Sequence, residues 1–387
     1  MTGHPLLAPP AASPGPRTDP SGCRACRRAD PVPVLDLGPM PAADHFPLAA
    51  EPCEPGETAH PLAMVLCRGC GLAQLAYDDT VTAEPRGVEP RALRDQAADA
   101  VRRVAAAGLL RGTTVREFAS PHGGSWLGLL AGRGVRPGRG PPGVVVGLFC
   151  SGNTHTRDQA AAVAGRAAAT APAGVLLLQY HSLHTIVAQG QWNALRHGHF
   201  AYYTLEVLRT MLAGVGMSVV TAWDFGLYGG TVLAAAVHGP AAPDDSVHRI
   251  VAREAGLNDP AAVRELQYAA DRHTESLRST LVAEAARGRR VYAYGAASRA
   301  VALFCRAGVR RDLLAAVADA APAKQGRRMP GTDVPIIAPA DLLAARPDRV
   351  LLTVPDLYGE VTERFPDLAG RWLVDDPAGY ARERPIR

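Results

Sequence analysis

Val175-Leu-Leu-Leu-Gln-Tyr-His-Ser-Leu183, followed by Gln191-Trp-Asn-Ala-Leu-Arg-His-Gly-His-Phe-Ala-Tyr-Tyr-Thr204, is an apolar run that opens into a stretch crowded with histidine. The run Val175 to Leu178 has the length and β-branched start of a buried strand. A strand that runs out into a polar loop is where α/β proteins place their chemistry, because ligands bind beyond the carboxyl ends of the strands. His181, His184, His197 and His199 fall in this span, and Tyr202 and Tyr203 follow at once. Histidine can take and return a proton near neutral pH, so the stretch is a candidate acid–base site. A solvated or packed set of histidines is the competing reading.

The elements on either side set the fold class. Upstream, Ala92 to Leu110 reads as a helix. Thr113 to Leu130 then reads as strand, Gly-containing turn and helix, with Gly123 and Gly124 in the turn. Val144 to Cys150 reads as a buried strand, and Gln159 to Thr170 as an Ala-rich helix. Downstream come a helix from Thr204 with a Gly216 stop, a strand from Ser218 to Trp223, a turn ending in Gly229-Gly230, and a strand from Thr231 to His238. Alternating strands and helices predict a doubly wound α/β sheet finished by an antiparallel pair. After a linker at Pro240 to Asp245, a long helix is expected over Val263 to Arg287. A second strand, Gly turn and helix follow at Val291 to Cys305, then strands at Leu313 to Ala318 and Asp348 to Thr353. This last third predicts a second, smaller Rossmann-like unit. Its Gly turn with Ser298-Arg299 and its basic loop with Lys324, Arg327 and Arg328 could hold a diphosphate, or the loop could simply be a solvated charged surface.

The N-terminal part reads differently. Cys23-Arg-Ala-Cys26 and Cys67-Arg-Gly-Cys70 are two Cys-x2-Cys knuckles flanking a Pro-rich segment with little core of its own. Four thiolates from two such knuckles close a tetrahedral zinc site, and with no open position the metal is structural. Cys53 lies between the pairs as a bystander. Seven cysteines, an odd count with two tight pairs and no export signal, point to a reducing cytoplasm.

At 387 residues with 47% hydrophobic content, the chain has material for two or three domains. The expected boundaries are a disordered Pro/Ala-rich leader over 1–20, a zinc-binding module over 21–80, a main α/β domain over 91–239 and the C-terminal unit over 246–387. The net charge of +4 comes from scattered arginines, which excludes a nucleic-acid footprint. No apolar run is long enough to span a membrane.

With these motifs in place, the chain resembles the sugar C-methyltransferases of antibiotic biosynthesis over nearly its whole length. The knuckles, the second within Leu66-Cys-Arg-Gly-Cys-Gly-Leu-Ala-Gln-Leu75, look like that family's zinc module. Glu117-Phe-Ala-Ser-Pro-His-Gly123 is similar to its first methyltransferase motif, Glu-Val-Gly-Ser-Asn-Asp-Gly. Arg196-His-Gly-His-Phe-Ala-Tyr-Tyr-Thr204 sits where the family has Tyr-His-Glu-His-Phe-Ser-Tyr-Phe-Ser. Tyr294-Gly-Ala-Ala-Ser298 and Lys324-Gln-Gly-Arg-Arg-Met-Pro-Gly-Thr332 look like its C-terminal domain.

The resemblance implies a class I methyltransferase-type middle domain and S-adenosylmethionine as cofactor beside the zinc. It implies methylation at carbon 3 of a nucleotide-linked 4-keto-deoxysugar. His199 is then the candidate base, with His197 beside it. Glu117, Ser120, Gly123 and Asn153 become candidate cofactor residues. Tyr202, Gly229, Gly230, Ser298, Lys324 and Arg328 become candidate substrate residues.

The chain departs from the family pattern at several points. Arg196 replaces the motif's Tyr, Gly198 its Glu, and Pro121-His122 the Asn-Asp of the first motif. The chain passes almost directly from Val135 to Val144, so the middle domain is expected to be shortened, without the strand end that carries the ribose-gripping acid. Two further readings therefore stay open: a cofactor-independent keto-sugar epimerase or isomerase, and a non-catalytic subunit that binds a sugar nucleotide or a partner.

Overall fold

A computed structural model describes residues 22–80, 88–118, 124–138, 142–147, 154–377 and 382–383. The expected leader lies outside them. Three sheets organise the described residues.

The first sheet begins with β1 (Pro31–Met40), β2 (His60–Cys67) and β3 (Ala73–Leu75), all antiparallel. Next come α1 (Arg91–Ala106), β4 (Thr114–Phe118), α2 (Leu127–Ala131), β5 (Arg136–Pro137), β6 (Val144–Gly147), α3 (Gln159–Ala169), β7 (Val175–His181) and α4 (Leu183–Ala188). Then β8 (Ala201–Tyr202), from the His-rich stretch, pairs with Ala73 and Gln74 and becomes the fourth strand of the first sheet. The zinc module is therefore not a separate body at 21–80. Its central strands β2 and β3 are buried on both faces, and the main domain lends the sheet a fourth strand.

The middle domain continues through α5 (Leu205–Ala213), β9 (Met217–Phe225) and β10 (Thr231–His238). Its sheet runs β5-β4-β6-β7-β10-β9, with the first four strands parallel and β10 antiparallel to both neighbours. The predicted antiparallel finish is what forms. The predicted shortening is there too. β6 pairs directly with β4, the sheet's edge beyond β4 is the two-residue β5, and only residues 138 to 143 connect β5 to β6.

The boundary near 246 is corrected. α6 (Asp245–Arg253) buries Val247 and Ile250 in one cluster with Leu205, Met217 and Val219, so it belongs to the middle domain. Asp244 caps it, accepting from the backbone N–H of Ser246 and Val247.

The long helix α7 (Pro260–Ala286) starts three residues before the expected position, because Asp259 caps it and Pro260 takes the first turn, where no N–H is needed. It leads into β11 (Val291–Tyr294), α8 (Ser298–Arg306), β12 (Val317–Ala318), β13 (Ile336–Ile337), α9 (Pro339–Ala345), β14 (Arg349–Leu352), α10 (Tyr358–Arg364), β15 (Trp372–Val374) and β16 (Arg382–Glu383). The strand expected from Leu313 is only Val317–Ala318. The sheet order β13-β12-β11-β14-β15-β16 is Rossmann-like, and its switch point lies between β11 and β14. One apolar cluster joins Leu35 and Leu37 of β1, Leu266 and Leu277 of α7, and Leu303 of α8. The N- and C-terminal units thus share a core.

Candidate functional site

The first site is the four-cysteine cluster. Cys67 ends β2, and the turn after it is closed by Gly71 N–H on the Cys67 carbonyl. Cys23 and Cys26 lie on a facing turn in which Arg27 N–H donates to the Cys23 carbonyl. The four Sγ atoms all lie within 4.8 Å of one another, and Cys23–Cys70 and Cys26–Cys67 are each 3.6 Å apart. Zn–S bonds of ~2.3 Å in a tetrahedron place sulfurs ~3.8 Å apart, so this donor set fits zinc. The hydrogen bond between Cys23 and Cys70 holds the Cys23 thiol down and pushes the Cys70 thiol up. Cys53 is outside the cluster.

The second site is a cavity of about 320 Å³ between the middle and C-terminal sheets. It opens at the carboxyl ends of β7, β11 and β14, where both folds place ligands. From the C-terminal unit come Gly295, Ser298 and Arg299 at the start of α8, Lys324, and Thr353-Val354-Pro355-Asp356 beyond β14. From the middle domain come Gln179 of β7, Arg196, Trp126 and the first turns of α1. Arg196, Arg299, Lys324 and Arg364 line the cavity with positive charge, and Glu89, Asp319, Asp356 and Glu360 with negative.

The His-rich stretch reaches this cavity through Arg196. Its backbone N–H donates to Tyr202 Oη at 3.2 Å, and Tyr202 donates in turn to the Ala194 carbonyl. Its Nε–H donates to His199 Nε2 at 2.7 Å, and its Nη1 donates to Ser298 Oγ. A guanidinium cannot accept a hydrogen bond, so His199 Nε2 carries a lone pair. Arg196 lines the cavity, and the buried His199 imidazole sits behind it. His155 packs edge-on against His199, with ring centroids 4.3 Å apart. Residues of the zinc module brace the loop: Asp78 accepts from Gly198 N–H at 2.8 Å, and Arg24 stacks on Phe200.

The structure separates the other sequence candidates. His197 turns away from the cavity, with Nε2 3.2 Å from the Pro61 carbonyl, and burial lowers its basicity. His181 is held far below the ordinary imidazole range by burial and by nearby Arg299. Tyr202 is a buried brace for the loop and lines no part of the cavity. Lys324 does line it, donating to the Ala296 carbonyl at 2.9 Å with its Nζ over the Phe46 ring. Arg328 is a correction: its guanidinium is taken by the carboxylate of Glu57 and the carbonyls of Glu51 and Pro52, away from the cavity. Charge alone could not distinguish a ligand-facing arginine from one sequestered by a distant acid.

Gly229 and Gly230 form a turn at the cavity's edge. Gly229 has φ +76°, and its N–H donates to Asp356 Oδ1 at 3.1 Å. Tyr228 beside it is a non-glycine residue at φ 56°, with Arg299 over its ring. Burial raises the Asp356 carboxyl above the usual carboxylate range. Asp356, Tyr228 and Arg196 were missed as site residues. The signal for Asp356 was its position just past a buried strand. Glu117 accepts from Trp126 N–H at 2.7 Å and so ties the end of β4 to the residue before α2. Ser120, Gly123 and Asn153 lie outside the described residues.

Residues 23–84 match a family model described as "Putative zinc binding domain", and residues 226–375 match one described as "C-methyltransferase C-terminal domain". The curated protein "C-methyltransferase NovU" of Streptomyces niveus is 27% identical over 408 residues, covering 92% of this chain and 95% of that relative. Among solved structures, magnesium protoporphyrin IX methyltransferase (ChlM) from Synechocystis PCC 6803 with bound SAH has a TM-score of 0.28 at 12% identity. It covers 40% of this chain and 90% of its own. The DhpI–SAH complex has a TM-score of 0.27 at 18% identity, covering 38% and 86%. Among the described residues, no helix is long and apolar enough to cross a membrane.

Proposed function

We propose that this chain, which matches a zinc-binding domain and a C-methyltransferase C-terminal domain and is similar to a C-methyltransferase over most of its length, methylates carbon 3 of a nucleotide-linked 4-keto-deoxysugar, with S-adenosylmethionine as donor and His199 as base. The observation that carries this reading is the shared cavity. Its C-terminal wall offers Ser298, Arg299 and Lys324 to a diphosphate, and its middle-domain wall brings Arg196, and behind it His199, to the same space.

A ketone acidifies the neighbouring C–H. A base with a lone pair within reach takes that proton and leaves an enolate, and holding both partners in place supplies much of the rate. His199 Nε2 carries that lone pair, which in this structure accepts from Arg196 Nε–H, so the base acts once that hydrogen bond is released. Arg196 and Arg299 are cations suited to stabilising the enolate oxygen or the diphosphate. S-adenosylmethionine, when bound, supplies an electrophilic methyl group to the nucleophilic carbon. Toward that donor, Glu117 holds Trp126 against the end of β4, and Leu93, Ala97 and Trp126 line the cavity with apolar surface. These residues suit the methionine half of the donor. The end of β5, Arg136-Pro137, offers no acid for the ribose.

That missing acid favours a second reading, epimerisation or isomerisation of the keto-sugar without a donor, in which protonated His199 or solvent returns a proton to the enolate on its other face or at the neighbouring carbon. Titration calorimetry with S-adenosylmethionine and its demethylated product separates the two. Micromolar binding, with methyl transfer to a 4-keto-deoxysugar nucleotide that His199→Ala abolishes, supports the first. No donor binding, together with His199-dependent deuterium uptake by the sugar in heavy water, supports the second. If the sugar neither gains methyl nor exchanges deuterium, the protein is a non-catalytic binding subunit.

A further inference from the structure

Arg196 occupies an unusual position. One edge of its guanidinium engages the candidate base, Nε to His199 Nε2 at 2.7 Å. Another, through Nη1, engages Ser298 Oγ at the first residue of α8 in the C-terminal unit. The same side chain lines the cavity that Arg299 and Lys324 also line. A single planar cation thus bridges the acid–base residue of one domain and the anion-facing helix end of the other. Guanidinium binds phosphate bidentately through paired N–H groups, more strongly than it binds a neutral imidazole or hydroxyl, because that hydrogen bond is charge-assisted on both sides.

We propose that Arg196 is a positioning residue that couples substrate binding to the base: the diphosphate of a nucleotide-linked substrate draws its guanidinium away from His199 and leaves Nε2 open to the cavity. The proposal rests on the reading of the cavity as a sugar-nucleotide site and adds a mechanism to it. In the ligand-free protein the lone pair of Nε2 is occupied by the Arg196 N–H, so the base is held out of use. When a diphosphate sits near Arg299 and Lys324, Arg196 exchanges a neutral acceptor for a doubly charged one. The enzyme then removes a proton only when a complete nucleotide-linked sugar is present, and a free keto-sugar that cannot move Arg196 meets a blocked base. Anchoring of the backbone, through Tyr202 Oη on the Arg196 N–H, leaves the side chain as the part that moves.

The test uses the full-length zinc-loaded protein, nucleoside diphosphates as probes, calorimetry for binding and nitrogen-15 histidine NMR for Nε2. In the wild type, the His199 Nε2 resonance is expected to move as a diphosphate saturates the site. In Arg196→Gln and Arg196→Lys it is expected to be displaced before ligand is added and to respond little to it. The same variants should exchange deuterium into a free keto-sugar at least tenfold faster relative to its nucleotide-linked form than the wild type does, a change in preference that mere loss of packing would not produce. Binding heat with an unmoved Nε2 resonance in the wild type overturns the coupling and leaves the site reading intact. Absence of binding heat with every nucleoside diphosphate overturns the site reading and the coupling with it.

Discussion

Arg328 and Glu57 face each other as a bidentate pair, with Nη1 to Oε1 and Nη2 to Oε2 both 2.7 Å. The pair ties the basic loop of the C-terminal unit to the segment between β1 and β2. Burial alone would raise the Glu57 carboxyl, but hydrogen bonds from Arg328 and the Gly331 N–H outweigh it and hold the group below the ordinary range. The pair's stabilisation is therefore present at neutral pH and is lost as pH falls through that lowered value. Glu57→Gln leaves the buried guanidinium uncompensated and should cost about 3–5 kcal/mol in urea unfolding at pH 7. The gap from wild type should shrink toward pH 3; a constant gap across that range would show that the charge on Glu57 is not the cause.

Glu254 is expected to behave in the opposite sense. Burial pushes its carboxyl up from the ordinary 4.5 to about 7, although Leu205 N–H donates to it at 2.6 Å. The folded state then holds the proton more tightly than the unfolded one. This contribution is full below about pH 4.5 and is lost as pH rises through about 7. Glu254→Gln keeps an acceptor for Leu205 and removes the titrating charge. Its stability relative to wild type should rise by on the order of 3 kcal/mol between pH 4.5 and pH 8. Parallel stability curves for the two proteins would count against it.

The zinc cluster reaches further than its own module. Cys23 and Cys67 are buried in one cluster with Val145 of β6, Leu176 of β7 and Tyr203. Structural zinc contributes on the order of 10 kcal/mol of apparent binding energy, comparable with the whole stability of a domain. Cys67→Ser, or a strong chelator, should remove one equivalent of zinc and lower the melting temperature of the middle domain along with the first sheet. Full retention of zinc-free stability, followed by calorimetry and metal analysis, would rule out this role.

The sequence made strands and helices with strong periodicity legible, and with them the antiparallel finish of the middle sheet and its short edge beyond β4. It also marked a loop that reaches the shared cavity through Arg196, because four histidines after a buried strand are a local signal. It could not assign roles within that loop. His197 and His199 are two residues apart, and whether each faces the cavity depends on Pro61 and Arg196, contacts that periodicity does not encode. Ala201–Tyr202 is too short to announce itself as a strand, and its partners Ala73 and Gln74 belong to another unit. Arg328 read as a ligand residue because its acid, Glu57, lies 271 residues away in sequence. Long-range pairing was hidden; local pattern was not.

The turn at Gly229 links packing to the cavity directly. A Cβ there would lie 2.0 Å from Gln191 Nε2 and 2.3 Å from Gln189 Oε1, two side chains already bonded to each other. Its φ of +76° is also one that L side chains resist. Gly229→Ala should therefore lose about 1–2 kcal/mol to backbone strain, and the glutamine ends must swing aside and give up their mutual hydrogen bond. Relief of the backbone strain moves the Gly229 N–H off Asp356, so nucleoside diphosphate affinity should fall as well. Gly226, three residues earlier, has open space around its Cβ position and right-handed helical angles. Gly226→Ala should leave both stability and affinity near wild type, to within about 0.5 kcal/mol. If both alanine variants lose affinity equally, the turn acts through general loosening of the segment; if only Gly229→Ala does, the contact with Asp356 is what holds this edge of the cavity in place.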